Sequence, residues 1–386
     1  MATHEREIIE PVDLCLPGGR ILNPLAKGWS RVPLHDANLR GRAGRTKRWD
    51  YWAVLGEEVT VAVVYADVDY LGMVDVWWLH HPTGRTGGRQ NPIPLARGVS
   101  LPDRFGTEPL RWRGPRTAVE IADDEGGTTI TATWTEADGT AASLDARVER
   151  PAGHESLNVV IPWSDRTYQY TSKHQARPAR GTLTVGDEVH RFGVPPASAG
   201  RGPAGSDRAE QAGTGSDEAG VERAGAGSDV AGTDEGGGTA AWGVLDVGRG
   251  RWPYRTRWNW GGGAGTATDG ETVVGIQLGA KWTEGTGFTE NGVLVDGRLS
   301  KIGDELDWDY RWDDPLRPWR VRHPDGSLDL TLEPTFDKHG RVNALLLATE
   351  VHQVFGRWHG HVTDDERGRV EVDGVLGFAE ESRSRW

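Results

Sequence analysis

Short strand-like runs that end in Asx-Gly turns constrain this chain more than any other feature. Asp138-Gly139, Asp269-Gly270, Asn291-Gly292, Asp296-Gly297, Asp325-Gly326 and Asp373-Gly374 punctuate it. Such pairs accept the positive φ angles of tight hairpins. Between the turns lie runs rich in Val, Thr, Tyr and Trp, at 50–55, 59–67, 73–80, 117–122, 128–134, 142–149, 157–161 and 181–185. Further runs follow at 272–282, 293–299, 328–333, 343–351 and 369–378. The cleanest alternation spans 302–312, with Ile302, Leu306, Trp308, Tyr310 and Trp312 on one side and Glu305, Asp307, Asp309 and Arg311 on the other. No segment of the first half sustains a helical period. The pattern predicts an all-β protein built as an antiparallel barrel or sandwich.

Two strand-rich halves are separated by a different kind of sequence. Residues 194–240 repeat Gly-Ser-Asp at 205–207, 215–217 and 227–229 and carry almost no large apolar side chain. Too little burial is on offer to offset the entropy of ordering them. They are expected to be a disordered insertion between an N-terminal half, 1–193, and a C-terminal half, 241–386. Residues 1–48 read mostly as loop, and the basic run Arg40, Arg42, Arg45, Lys47 and Arg48 as solvated.

Charge and cysteine content exclude several functions. The chain of 386 residues has a formal charge of −13, which argues against nucleic-acid binding. No window approaches the roughly 20 apolar residues of a membrane helix. The start of the chain carries Glu5, Glu7, Glu10 and Asp13 without an apolar core, so a cytoplasmic location is expected. Cys15, the one cysteine, can form no intramolecular disulfide or cysteine-based zinc site; it reads as an inert thiol. His359 and His361 are spaced to share a strand face, yet a metal would need a third ligand such as His352 or Glu371. Hydrogen-bonded or surface histidines are the simpler reading, and no metal is expected. The Gly-x-Gly within 261–265 lacks the βαβ frame of a dinucleotide site. No redox cofactor is expected.

The richest chemistry lies between 241 and 296. There are 18 Trp against 6 Phe and 7 Tyr, a bias that a core alone does not require. Trp258 and Trp260 fall on one face of a strand with Asn259 opposite, directly before a glycine run. Together with Trp252 they are candidates for stacking on a ligand or stabilising a developing cation. Asp246 ends an apolar run. Buried among aromatics it would act as a general acid; alternatively it fixes a turn by pairing with Arg249 or Arg255. Glu290 is the natural second carboxylate. Tyr254, Arg249 and Asn291 are the remaining polar candidates, although Asn291-Gly292 is also simply a turn.

The segments LDVGRGRWPYRTRWNWGGGAG, VVGIQLG, TGFTENGVLVDGRLSKI, FGRWHGHV and YTSKHQARPARGTLTVGD resemble a bacterial family known only as a domain of unknown function. Its members carry Asp-Trp-x-Arg-Gly-x-Trp-Pro-Tyr leading into Trp-x-Trp; here Val247 stands in place of the first Trp. That family is distantly similar to the hydroxyneurosporene synthase (carotenoid hydratase) superfamily. The resemblance implies two lipocalin-like, calycin-type β-barrel halves and an apolar small-molecule partner. It also implies that Asp246 corresponds to the acid of those enzymes. The expected function is a cofactor-independent hydratase, cyclase or isomerase of a lipid- or isoprenoid-like molecule. Asp246, Glu290 and Tyr254 would be catalytic, and Trp252, Trp258, Asn259, Trp260, Arg249 and Asn291 would bind substrate. Two alternatives share the motif: a non-catalytic lipid or isoprenoid carrier, and a carbohydrate-active β-sandwich using Asp246 and Glu290 as its carboxylate pair.

Overall fold

The strand Ala241–Arg251 lies between Thr46–Gly56, with which it pairs along its whole length, and Tyr168–Val185, with which it pairs on either side of a bulge. The computed structural model describes residues 3–41, 45–193, 240–344 and 347–385. The sequence reading groups 241–251 with the C-terminal half, but its ladder belongs to the N-terminal sheet. The disordered insertion expected at 194–240 lies outside the described residues apart from Ala240.

Two curled antiparallel sheets, each a half-barrel, make up the all-β fold, and no α-helix occurs among the described residues. The first sheet runs Arg85–Arg89, Leu71–His80, Val59–Asp67, Thr46–Gly56, Ala241–Arg251, Tyr168–Val185, Ala141–Glu149, Gly127–Thr135, Thr117–Asp124 and Leu110–Arg113. The second runs Arg298–Ile302, Asn291–Val295, Val273–Ala280, Arg255–Thr266, Gly368–Arg385, Leu347–Asp364, Asp329–Ala344, Trp319–Arg322 and Asp307–Asp309. Among the described residues no helix is long and apolar enough to cross a membrane.

Each half-barrel has its own interior core. Trp52, Val54, Val61, Val63, Val76, Leu245 and Val247 fill the first, and Val274, Ile276, Leu278, Trp319, Leu330 and Trp358 the second. A third apolar layer joins the sheets. Tyr51, Ala53, Leu55 and Val244 of the first pack on Trp260, Phe355 and Phe378 of the second. Side chains alternate along a strand, so Thr46–Gly56 and Ala241–Arg251 feed the first interior with one set of residues and the inter-sheet layer with the other. Burial on both faces explains the apolar stretches 51–55 and 241–245 within them.

Two local expectations change. The alternation of 302–312 yields only the short strand Asp307–Asp309; its rings instead serve local stacking, Tyr310 lying flat on Trp319 with centroids 3.9 Å apart. The basic run is not wholly solvated, because Lys47 is buried and donates to the Val68 carbonyl at 3.0 Å. Cys15, expected to be inert, is buried with Sγ 3.0 Å from the Tyr168 hydroxyl.

Candidate functional site

Two rows of side chains face each other where the sheets meet. Across the first sheet the register places Lys173 opposite Asp246, Asp246 opposite Tyr51, Tyr51 opposite Val64 and Val64 opposite Asp75. Across the second it aligns Gly279, Trp260, Glu380, Gln353 and Lys338. Directly paired residues project from the same face of a sheet, so each row points at the other. Lys173 Nζ lies 4.3 Å from the centre of the Trp260 ring, and Tyr51 meets that ring edge-on at 5.5 Å. At the far end Lys338 Nζ sits 4.2 Å from the centre of Trp77.

Between the rows is a cavity of about 500 Å³, walled by Trp49, Trp77, Trp252, Trp258, Trp260 and Trp282, a size ordinary for a small-molecule site. Trp252 is the hub of the indoles. It stacks on Trp282 at 5.6 Å with 10° between planes, and meets Trp49 at 5.6 Å and Trp258 at 5.8 Å. Two hollows of about 440 and 490 Å³ lie along the outer strands of the first sheet. The charged pair in the smaller of these, Arg111 and Glu120, is exposed.

The polar centre is a buried trio. Lys173 Nζ lies 3.0 Å from Asp246 Oδ1 and 3.3 Å from Glu290 Oε2. Asp246 also accepts from the Trp49 indole and from the Thr171 hydroxyl, each at 3.1 Å. Glu290 Oε1 accepts from the Trp282 indole at 2.5 Å, while its Oε2 makes no directed hydrogen bond. Burial raises the Glu290 carboxyl to about 7; Lys173 opposes the rise and the Asp246 charge adds to it. Burial alone would lower the Lys173 ammonium, but Asp246 and then Glu290 outweigh it and its pKa is raised. One cation among two carboxyls in a dry site favours a single ionised carboxylate, so the trio retains a proton near neutral pH. Glu290, the carboxyl that burial raises, is the member of the trio suited to hold it.

A second ionisable group lies further along the rows. Glu380 accepts from the Trp258 indole at 2.7 Å, and burial raises its carboxyl to about 7 against that hydrogen bond and the charge of Lys338. Burial lowers Lys338 to about 8.

Two glycines leave room for this arrangement. A Cβ on Gly248 would lie 2.1 Å from the Trp49 indole, and one on Gly279 would lie 2.2 Å from Glu290 Cγ. Both glycines face the cavity layer, so Trp49 and Glu290 lie across bare backbone.

Asp246, Glu290, Trp252, Trp258 and Trp260 thus converge on one cavity. The other four candidates do not line it. Tyr254 is 40% exposed. Asn259 projects away from Trp258 and Trp260 and donates to the Tyr310 hydroxyl and the Glu380 carbonyl. Arg249 is buried on the opposite face from Asp246, pairs with Asp50 at 2.8 Å and donates to the Trp49 carbonyl. Asn291 accepts from the Gly279 amide and donates to the Asp304 carbonyl, holding the bend beside Glu290. The ion pair considered for Asp246 forms with Lys173, not with Arg249 or Arg255. His359 contacts Asp373, and His361 contacts the Gly326 carbonyl, so the two do not converge. Lys173, Trp49, Thr171, Glu380 and Lys338 are cavity residues that the motif reading misses. Lys173 gives no signal in the sequence, because the buried surroundings that mark it are seen only in the structure.

Crystal structures of CghA are similar in part. One, with Sch210972, shares 10% identity over 89% of each chain with a TM-score of 0.36. Another shares 11% identity over 97% of each chain with a TM-score of 0.39. No curated protein matches the sequence. A family model described as a domain of unknown function, DUF2804, matches residues 5–201 and 227–386, and the chain belongs to that family.

Proposed function

We propose that the protein is a cofactor-independent acid catalyst acting on an apolar, alkene-bearing small molecule held between its two sheets. The observation that carries this reading is the trio of Lys173, Asp246 and Glu290 opening into a tryptophan-walled cavity. Glu290, rather than Asp246, is the acid. Its carboxyl proton moves to an alkene carbon, and the adjacent carbon takes the positive charge facing indole rings, which stabilise it. Water then adds to that carbon and loses a proton, giving hydration; loss of a neighbouring proton instead gives isomerisation, and attack by a second alkene gives cyclisation. The new carboxylate is met by Lys173 at 3.3 Å. Asp246 holds Lys173 in place and is a positioning residue. The resemblance to carotenoid hydratases supports the same reaction class. Sugar hydrolysis fits less well, because its carboxylate pair would flank an open groove rather than share one buried ammonium.

Native mass spectrometry of gently purified protein, after incubation with farnesol, geranylgeraniol and oleate, tests the site. Wild type should retain one of these molecules, and Trp258→Ala should lose it. Equal retention by both proteins places the ligand elsewhere, and no retention by wild type removes the apolar-ligand reading.

A further inference from the structure

Outside the cavity, Glu58, His80 and His190 bring three metal-ligating side chains together from three strand ends. Glu58 lies in the turn after Thr46–Gly56, His80 closes Leu71–His80, and His190 sits on Glu188–Phe192. Their ligand atoms all fall within 4.8 Å of one another. One Glu58 oxygen is shared by both rings, 3.5 Å from His80 Nε2 and 2.7 Å from His190 Nδ1. None of the three lines the cavity.

The outer nitrogens are what distinguish this group from a surface ion pair. His80 Nδ1 lies 2.7 Å from the Thr83 hydroxyl, which fixes the ring and leaves Nε2 to face Glu58. His190 is 8% exposed, and its Nε2 is buried without a hydrogen bond. That nitrogen points toward Glu188 Oε2 at 3.7 Å, and Arg85 grips the Glu188 carboxylate with two bonds of 2.7 and 3.0 Å. A carboxylate behind the outer nitrogen of a ligating histidine is the recurrent second layer of zinc sites.

We propose that Glu58, His80 and His190 form a binding site for a divalent transition metal such as Zn²⁺. His80 binds through Nε2, His190 through Nδ1 and Glu58 through a carboxylate oxygen. Bonds of about 2.0–2.2 Å in tetrahedral geometry put ligand atoms about 3.3 Å apart. The Glu58–His80 separation already matches, and the Glu58–His190 hydrogen bond must open by about 0.6 Å to reach that spacing. The half-exposed Glu58 side chain can make that move. Loading the metal makes His190 Nδ1 a ligand, leaves its proton on Nε2, and draws that N–H to Glu188, so the orphaned nitrogen is satisfied. Two nitrogens and one carboxylate suit zinc and leave a fourth position for water. His339, Glu350 and His352 also cluster, but the two rings stack at 4.3 Å with 3° between planes. Their in-plane lone pairs run parallel and do not converge on one ion.

The test is titration of chelator-stripped, tag-free full-length protein with Zn²⁺ by calorimetry and with Co²⁺ by visible absorption. Wild type should show one saturable site with the absorption of tetrahedral cobalt. His80→Ala and Glu58→Gln should each weaken it at least ~100-fold, and Glu188→Gln about tenfold. His352→Ala should leave it unchanged. Glu58 is in an exposed turn, so Glu58→Gln keeps the fold, checked by a thermal midpoint equal to that of metal-free wild type. No saturable site in wild type, or a site undiminished in both Glu58→Gln and His80→Ala, overturns the assignment.

Discussion

Lys173 is the residue on which the site's electrostatics turn. It is the cation between Asp246 and Glu290, and removing one partner of a buried ionic group leaves the others uncompensated at a cost of about 3–5 kcal/mol. The sign of the pH dependence follows from the carboxyls. Glu290 and Glu380 are each raised to about 7. A raised carboxyl contributes stability that is fully present below its unfolded value and is lost as pH rises through its folded value. Without Lys173, Glu290 climbs further and that loss deepens. Lys173→Met should therefore cost several kcal/mol at pH 8 and far less at pH 5, read from urea midpoints. A penalty equal at both pH values would contradict the trio. The same residue marks where the sequence was hard to read. Asp246 and Glu290 stand out beside tryptophans and glycines, but Lys173 lies in YQYTSKHQARPAR, a polar run without alternation. Its polarity reflects burial on both faces with internal partners: Asn158 hydrogen-bonds Ser172, and Gln175 bonds Gln277.

At the scale of elements, the strands carry the site by register, and register depends on glycines where rings must lie flat. Gly279→Ala should push Glu290 off the strand surface, destabilise the protein by roughly 1–3 kcal/mol and reduce turnover more than ligand retention. A variant with full activity would show that Glu290 need not lie over that backbone. Many strands were legible, because alternation and Asx-Gly turns are local signals, but the central strand Ala241–Arg251 and the short strands Arg85–Arg89, Leu110–Arg113, Glu188–Phe192 and Trp319–Arg322 were not. The long strands Tyr168–Val185, Asp329–Ala344, Leu347–Asp364 and Gly368–Arg385 were legible only in part. Tyr168–Val185 shows its pattern only over 181–185, since a bulge between His174 and Arg177, with Ala176 at φ 56°, breaks it. The run 293–299 is a hairpin folded at Asp296-Gly297, where the turn signal outweighs the apolar run. Tyr254, Asn259, Arg249 and Asn291 were grouped with the site by sequence proximity, but proximity along a strand alternates faces. Asn259 and Arg249 serve the opposite side for that reason.

For the whole molecule, the two sheets are not independent, since the cavity and its third apolar layer exist only where they meet. The strand Ala241–Arg251 joins them in sequence while completing the first sheet. A fragment of residues 1–193 lacks that central strand and leaves Thr46–Gly56 and Tyr168–Val185 unpaired along one edge. It should be unfolded or aggregated by circular dichroism and size-exclusion chromatography; a soluble, cooperatively melting fragment would contradict the topology. This pairing could not be read from composition, because a strand's partners across more than 60 residues leave no local trace. The central claim is that Glu290 delivers a proton to an alkene in the inter-sheet cavity. Its most direct test is deuterium uptake from D₂O into farnesol and geranylgeraniol, followed by mass spectrometry. Wild type should incorporate deuterium, with a rate that falls above about pH 7 as Glu290 ionises. Glu290→Gln should lose at least ~100-fold of that rate while retaining the ligand. Retention without any deuterium uptake in wild type, or uptake undiminished in Glu290→Gln, would contradict the account, the former leaving a carrier in place of an enzyme.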